Sequence, residues 1–155
     1  MVQILSCPRE LRIPTARYLV LIDTNVWGEL TRPKPNDRVV AFLSANEDRL
    51  HLSTIVLAEI EFGIAKTADP VRSLRLLDSR NDIVLRVTDR ILFPDFLTCT
   101  VWGKLKAELN GKGEPIPDFD LLICAQAIAA DMPVVTRNVG HMVRTGVIII
   151  NPWED

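Results

Sequence analysis

The stretch Tyr18-Leu19-Val20-Leu21-Ile22-Asp23-Thr24-Asn25 decides the fold. Its first five residues form an unbroken apolar run of strand length, the pattern of a strand covered on both faces. Asp23, Thr24 and Asn25 stop the run, and these residue types favour helix caps and turns. A short helix is expected from Val26 to about Thr31, closed by Arg32-Pro33-Lys34-Pro35. A fully covered strand that feeds directly into a helix opens an α/β sheet with helices on both faces.

The alternation continues outward from there. Asn36 or Asp37 caps a helix with Val39, Val40, Phe42 and Leu43 as its buried stripe, and Leu50 to Ser53 reads as a strand. Ser53 or Thr54 opens a helix carrying Ile55, Val56, Ala58, Ile60, Phe62 and Ile64. Asp69-Pro70 starts another, with Leu74, Leu76 and Leu77, and Ile83 to Val87 is read as its continuation despite a β-branched content that suits a strand. Arg90 to Phe93 is a short strand stopped by Pro94, followed by a helix from about Asp95 to Asn110. Gly111, Gly113, Pro115 and Pro117 make a loop. Phe119 to Ala130 is apolar nearly all round, so a central buried helix is expected, and Val134 to Thr136 and Val147 to Ile150 are two further strands. The expectation is an α/β domain over residues 18–155 with a mainly parallel sheet of about five strands. Residues 1–17, with two prolines and no clear period, read as an N-terminal extension that drapes over the domain or stays mobile.

Composition narrows the function classes. The chain has 155 residues, about one domain. Eighteen Lys+Arg against twenty Asp+Glu give a net charge of −2, which excludes a tail-driven nucleic-acid binder but not a local basic patch. No run approaches the ~18 apolar residues of a membrane span. Pro8, Arg9 and Glu10 stand where a signal peptide needs its apolar stretch, so a cytoplasmic protein is expected. Cys7, Cys99 and Cys124 are odd in number, lack metal-ligand spacing and read as reduced thiols.

In a parallel sheet of this kind ligands sit beyond the carboxyl ends of the strands. Asp23 lies there, either as a helix cap or as a site acid. Glu59 falls among Val56, Leu57, Ala58, Ile60 and Phe62; it either reaches water at a helix boundary or needs a cation, hydrogen bonds or a cavity, because a buried unpaired carboxylate costs several kcal/mol. Glu61, two positions on, serves as its control. Asp118 suits a helix cap, whereas Asp120 falls in the first turn of the central helix, where the dipole favours an anion. Three carboxylates in one crevice repel, so that one holds a proton or a divalent cation offsets them. Oxygen ligands with room for water suit Mg²⁺ or Mn²⁺, and phosphodiester cleavage is the chemistry that uses such a site.

The sequence resembles the PIN-domain family, in the FitB-like branch of the VapC-type toxins. The resemblance runs from Tyr18 to Trp153 through LIDTNVWGELTRPKPN (21–36), LSTIVLAEIEFGI (52–64), VWGKL (101–105), PDFDLLICAQA (117–127), VVTRN (134–138) and GVIIINPW (146–153). It implies a three-layer α/β/α sandwich and a Mg²⁺- or Mn²⁺-dependent endoribonuclease, the toxin of a toxin–antitoxin system. A cognate antitoxin that blocks the site and a homodimer are also implied. Asp23, Glu59 and Asp120 match the family's metal-site acids; Asn25 and Thr136 fall on polar positions that line the pocket.

One position departs from the family pattern. The family often supplies a fourth acid at the Asn of T-R-N or three residues later, and here those positions are Asn138 and His141. His141 then stands as a metal ligand or as an exposed loop residue, and Asp118 as a partial substitute. This departure supports an alternative reading, a weakened PIN-like domain that binds an antitoxin or nucleic acid. A third reading, a phosphoaspartate phosphatase built on Asp118-Phe119-Asp120, needs that motif directly after a buried strand, whereas here it follows a proline loop. Arg32, Lys34 and Arg137 flank the expected crevice and are candidates to draw RNA to it, with Arg38, Lys112 and Arg144 beyond them. His51 reads as structural, and Trp27 and Trp102 as core or interface residues.

Overall fold

The computed structural model describes residues 18–154; the expected extension, residues 1–17, and Cys7 lie outside the described residues. The strands are β1 (Val20–Ile22), β2 (Leu50–Ser53), β3 (Ile91–Leu92), β4 (Val134–Val135) and β5 (Ile149–Ile150). They form one sheet in the order β3-β2-β1-β4-β5, and every pairing is parallel. The chain builds outward from β1 to β3 on one side, then returns to pair β4 with the other side of β1. The strand order therefore reverses between β1 and β4, which opens a crevice at their carboxyl ends.

The helices are α1 (Thr24–Glu29), α2 (Asp37–Ala45), α3 (Thr54–Lys66), α4 (Pro70–Arg86), α5 (Phe96–Gly111), α6 (Asp118–Ala129) and α7 (Val139–Met142). Most begin where the sequence offers a side-chain acceptor. Asn36, Ser53, Asp69 and Asp95 accept from first-turn backbone N–H groups of α2, α3, α4 and α5. The continuous apolar runs give a sheet whose centre excludes water: Leu21, Ile22, Leu52, Val134 and Val135 have no exposed surface. They join Val26, Trp27, Val56, Ile123 and Met142 in one core cluster, so truncating Leu21 to Ala would cost about 2–5 kcal/mol.

Several expectations are corrected. Tyr18 and Leu19 lie outside β1 and are about half exposed, because the register pairs Val20 with Leu50 and the partner strand offers nothing earlier. Val40 and Phe62 are exposed instead of joining their helices' buried stripes. Ile83 to Arg86 do continue α4, with Val87 as its C-cap. The segment read as a loop after T-R-N is α7, followed by a 3-10 turn (Val143–Thr145) that Gly146 ends at φ 77°, the left-handed region that favours glycine. Asp118 is not a cap. Pro117 holds that position, and the Asp118 carboxylate in the first turn of α6 pairs with Lys106.

Candidate active site

Asp23 leaves β1 and caps α1, so one side chain begins a helix and ends a central strand. Its Oδ1 accepts from Thr24 N at 2.7 Å. Its Oδ2 accepts from Asn25 Nδ2 and from the Thr136 hydroxyl, both at 2.6 Å. Thr136 follows β4, so the two strands that flank the crevice meet through this bond. The cap and site readings of Asp23 both hold.

The network reaches the other two acids. The Thr24 hydroxyl donates to Glu59 Oε2 on α3. Thr136 Oγ1 accepts from Asn138 N at 2.9 Å, and Asn138 Nδ2 donates to Asp120 Oδ2 on α6 at 2.8 Å. Asn25 also donates to Thr136 Oγ1 at 2.9 Å and accepts from Arg137 N. Glu59, Asp23 and Asp120 thus belong to one hydrogen-bonded chain drawn from four separate segments. Glu61 turns away to α4, where it pairs with Arg80 at 3.1 Å.

No cation in the chain neutralises Asp23. It is 4% exposed. Burial pushes its carboxyl up to about 6, the bonds from Thr136 and Thr24 pull against this, and the charges of Asp120 and Glu59 add to the push. Among the described residues no three His, Cys, Asp or Glu side chains close tightly around one point. Mg²⁺ needs no such cage: it keeps several waters and takes one or two carboxylates. Oxygen-rich acids that repel one another around a buried carboxylate fit an ion of that kind.

Sequence reasoning missed Thr24, whose place between two site residues in D-T-N was the available signal. It also missed Glu29, a carboxylate 3% exposed at the far end of α1. Glu29 accepts from Asn36 N at 3.0 Å and pairs with Arg32 at 3.3 Å. Arg32 is therefore engaged away from the three acids. It lines a separate concavity of about 1120 Å³ with Trp27, Leu30, Leu43, Leu76 and Ile83. Lys34 is exposed and nothing ties it to the acids. Arg137 is at the site rim, its guanidinium 5.3 Å from the Trp153 ring. His141 rides on α7 with Nδ1 3.6 Å from Asp120 Oδ2. His51 is buried and contacts Arg49 O at 3.0 Å, in keeping with a structural role. Cys99 and Cys124 are free thiols, and burial pushes Cys124 up to about 12. Trp27 is core, whereas Trp102 is half-buried in a second apolar cluster.

Comparison with known proteins addresses the same region. The family model described as PIN domain matches residues 20–146, a span that contains every acid of the network. The chain belongs to the PIN-domain family. Within curated PIN relatives it is similar to the plasmid stability protein StbB of Pseudomonas syringae pv. tomato, 34% identical over 88% of this chain and 99% of that protein. It is similar also to toxin FitB of Neisseria gonorrhoeae, 32% identical over 88% of this chain and all of that protein. The crystal structure of FitAcB from Neisseria gonorrhoeae superposes with a TM-score of 0.79 at 31% identity, covering 88% of this chain and 99% of that one. DNA-bound VapBC from Salmonella typhimurium gives 0.75 at 26% identity, over 88% and 99% of the two chains. The expected three-layer architecture is thus that of this PIN domain, and no described helix is long and apolar enough to cross a membrane.

Proposed function

We propose that this PIN domain is a metal-dependent endoribonuclease and the toxin of a toxin–antitoxin pair. It hydrolyses RNA phosphodiester bonds with Mg²⁺ or Mn²⁺ held among Asp23, Glu59 and Asp120, and it works in the cytoplasm. The observation that carries this reading is the buried, cation-free Asp23 joined by hydrogen bonds to two further acids at the strand-order reversal. A relative from Sinorhizobium fredii is named a VapC ribonuclease, which supports the same chemistry.

When bound, the cation supplies charge neutralisation and a more acidic water. The chain's own residues set the geometry. Asn25 and Thr136 fix the Asp23 carboxylate, Thr24 fixes Glu59 and Asn138 fixes Asp120, so little reorganisation remains for the reaction itself. Asp120, 19% exposed, lies on the open side, where it can orient an attacking water. Arg137 beside Thr136 is placed to meet an incoming phosphate.

Partners follow from the surface and from the relatives. Solved neighbours are FitAB and VapBC assemblies, which supports an antitoxin partner and a heteromeric complex with it. The concavity lined by Trp27 has an apolar floor and Arg32, Arg72, Arg75 and Arg86 among its lining residues, features that suit an apolar segment bearing acidic groups. Phe93, Phe96 and Leu97 are 71%, 89% and 50% exposed around the start of α5, a patch that suits a homodimer.

The test is RNA cleavage with added Mg²⁺ or Mn²⁺. Glu59→Gln and Asp120→Asn should each lower the rate on the order of 100-fold or more with the circular dichroism spectrum unchanged. Glu61→Gln should cleave like the wild type. A wild type no faster than Glu59→Gln would favour the weakened, binding-only domain instead.

A further inference from the structure

His141 stands where PIN relatives often carry another acid, and the structure gives that substitution a geometry. The residue sits on α7, whose next residue, Met142, is fully buried in the core cluster. The helix packs against α6, which carries Asp120. The imidazole is thus presented by an anchored element and not by a free loop. Its Nδ1 faces Asp120 Oδ2 at 3.6 Å, too far for a hydrogen bond, and no hydrogen bond to the ring is found among the described residues. Two atoms that each bind one ion at ~2.1 Å stand up to ~4.2 Å apart, so 3.6 Å lies within the span of a shared ligand pair.

We propose that His141 is a nitrogen ligand of the cation at Asp120, and that it turns an all-oxygen site into one that prefers Mn²⁺ over Mg²⁺. This rests on the metal-dependent reading above. Mg²⁺ is a hard ion that takes oxygen and gains little from an imidazole. First-row transition ions accept imidazole nitrogen, and their affinity for such sites rises along the series from Mn²⁺. The other position where relatives carry an acid is Asn138. Its amide nitrogen donates to Asp120 Oδ2, so it orients the carboxylate and adds no negative charge. A site with three acids and one neutral nitrogen offers less charge to Mg²⁺ and a better donor to Mn²⁺.

The sequence makes the test clean, because it holds only two histidines and the other, His51, is buried at Arg49 O. Mn²⁺ is bound to tag-free, full-length protein, and electron spin-echo envelope modulation reads directly coordinated imidazole nitrogen. The expected result is a nitrogen modulation in the wild type that is lost in His141→Ala. Titration calorimetry should show Mn²⁺ binding about tenfold tighter than Mg²⁺. His141→Ala should weaken Mn²⁺ about tenfold and Mg²⁺ hardly at all, while His141→Asp should tighten Mg²⁺ and narrow the difference. Mn²⁺ bound without nitrogen modulation, or equal weakening of both ions in His141→Ala, would overturn the proposal and leave the metal site standing. Failure of both ions to bind the wild type would instead overturn the metal-dependent reading itself.

Discussion

The two ends of α1 each bury a carboxylate, and they treat it in opposite ways. Asp23 at the first end is 4% exposed and Glu29 at the last is 3% exposed. Glu29 has a guanidinium at 3.3 Å and a backbone N–H at 3.0 Å. Asp23 has only neutral donors, with two further acids close enough to raise it to about 6. Burial alone does not mark a reactive site, since a buried charge with its own counterion is architecture. A buried charge kept among like charges is unfinished until something else arrives.

The largest expected effect breaks the comparison at the level of chemistry. Asp23→Asn should lower RNA cleavage on the order of 100-fold or more, whereas Glu29→Gln should stay within a few-fold of wild type when both are assayed at saturating metal. Equal losses would mean that Glu29 takes part in the reaction.

The next effect has the reverse sign, in stability. With chelator present, a carboxyl whose folded pKa is raised from 3.8 to about 6 leaves the folded state binding more protons across that interval, so stability falls as pH rises through it. Above it, Asp23→Asn should be more stable than wild type by about 1–3 kcal/mol, the upper figure corresponding to about two pKa units. The advantage should vanish near pH 4. Thermal melts at pH 4 and pH 8 check this, and a variant less stable than wild type at pH 8 would show that the three lost acceptor contacts outweigh the relieved charge.

A smaller effect comes from the ion. Mn²⁺ at ten times its Kd should stabilise the wild type by ~1.4 kcal/mol and Asp23→Asn by much less. Smallest of all, Arg32→Ala should cost about 1 kcal/mol or less and leave metal binding unchanged, because half of that arginine faces water. A change in metal affinity there would join the two ends of α1 into one site.

The difference between these ends was only half legible in the sequence. Asp23 could be read because an apolar strand ends abruptly at it, and β4 and α6 were plain as apolar runs. Glu29 could not, since a Glu in W-G-E-L looks like any helical surface acid and its burial depends on how the following proline turn folds back through Asn36 N. The α7 segment was missed because four residues containing Gly140 carry no period. Asp118 was misread because Pro117, a residue with no side-chain acceptor, took the cap position while Lys106 drew the carboxylate to α5. The convergence of Glu59 and Asp120 on Asp23 came from the family resemblance, since spacing along the chain offers no measure of distance across a sheet.

The sheet's outermost strands, β3 and β5, are two residues each. Lone backbone edges invite foreign strands to add on, and edges this short offer such a strand almost nothing to grip. A molecule of this design, separated from whatever normally holds it, has little tendency to clump through its rims.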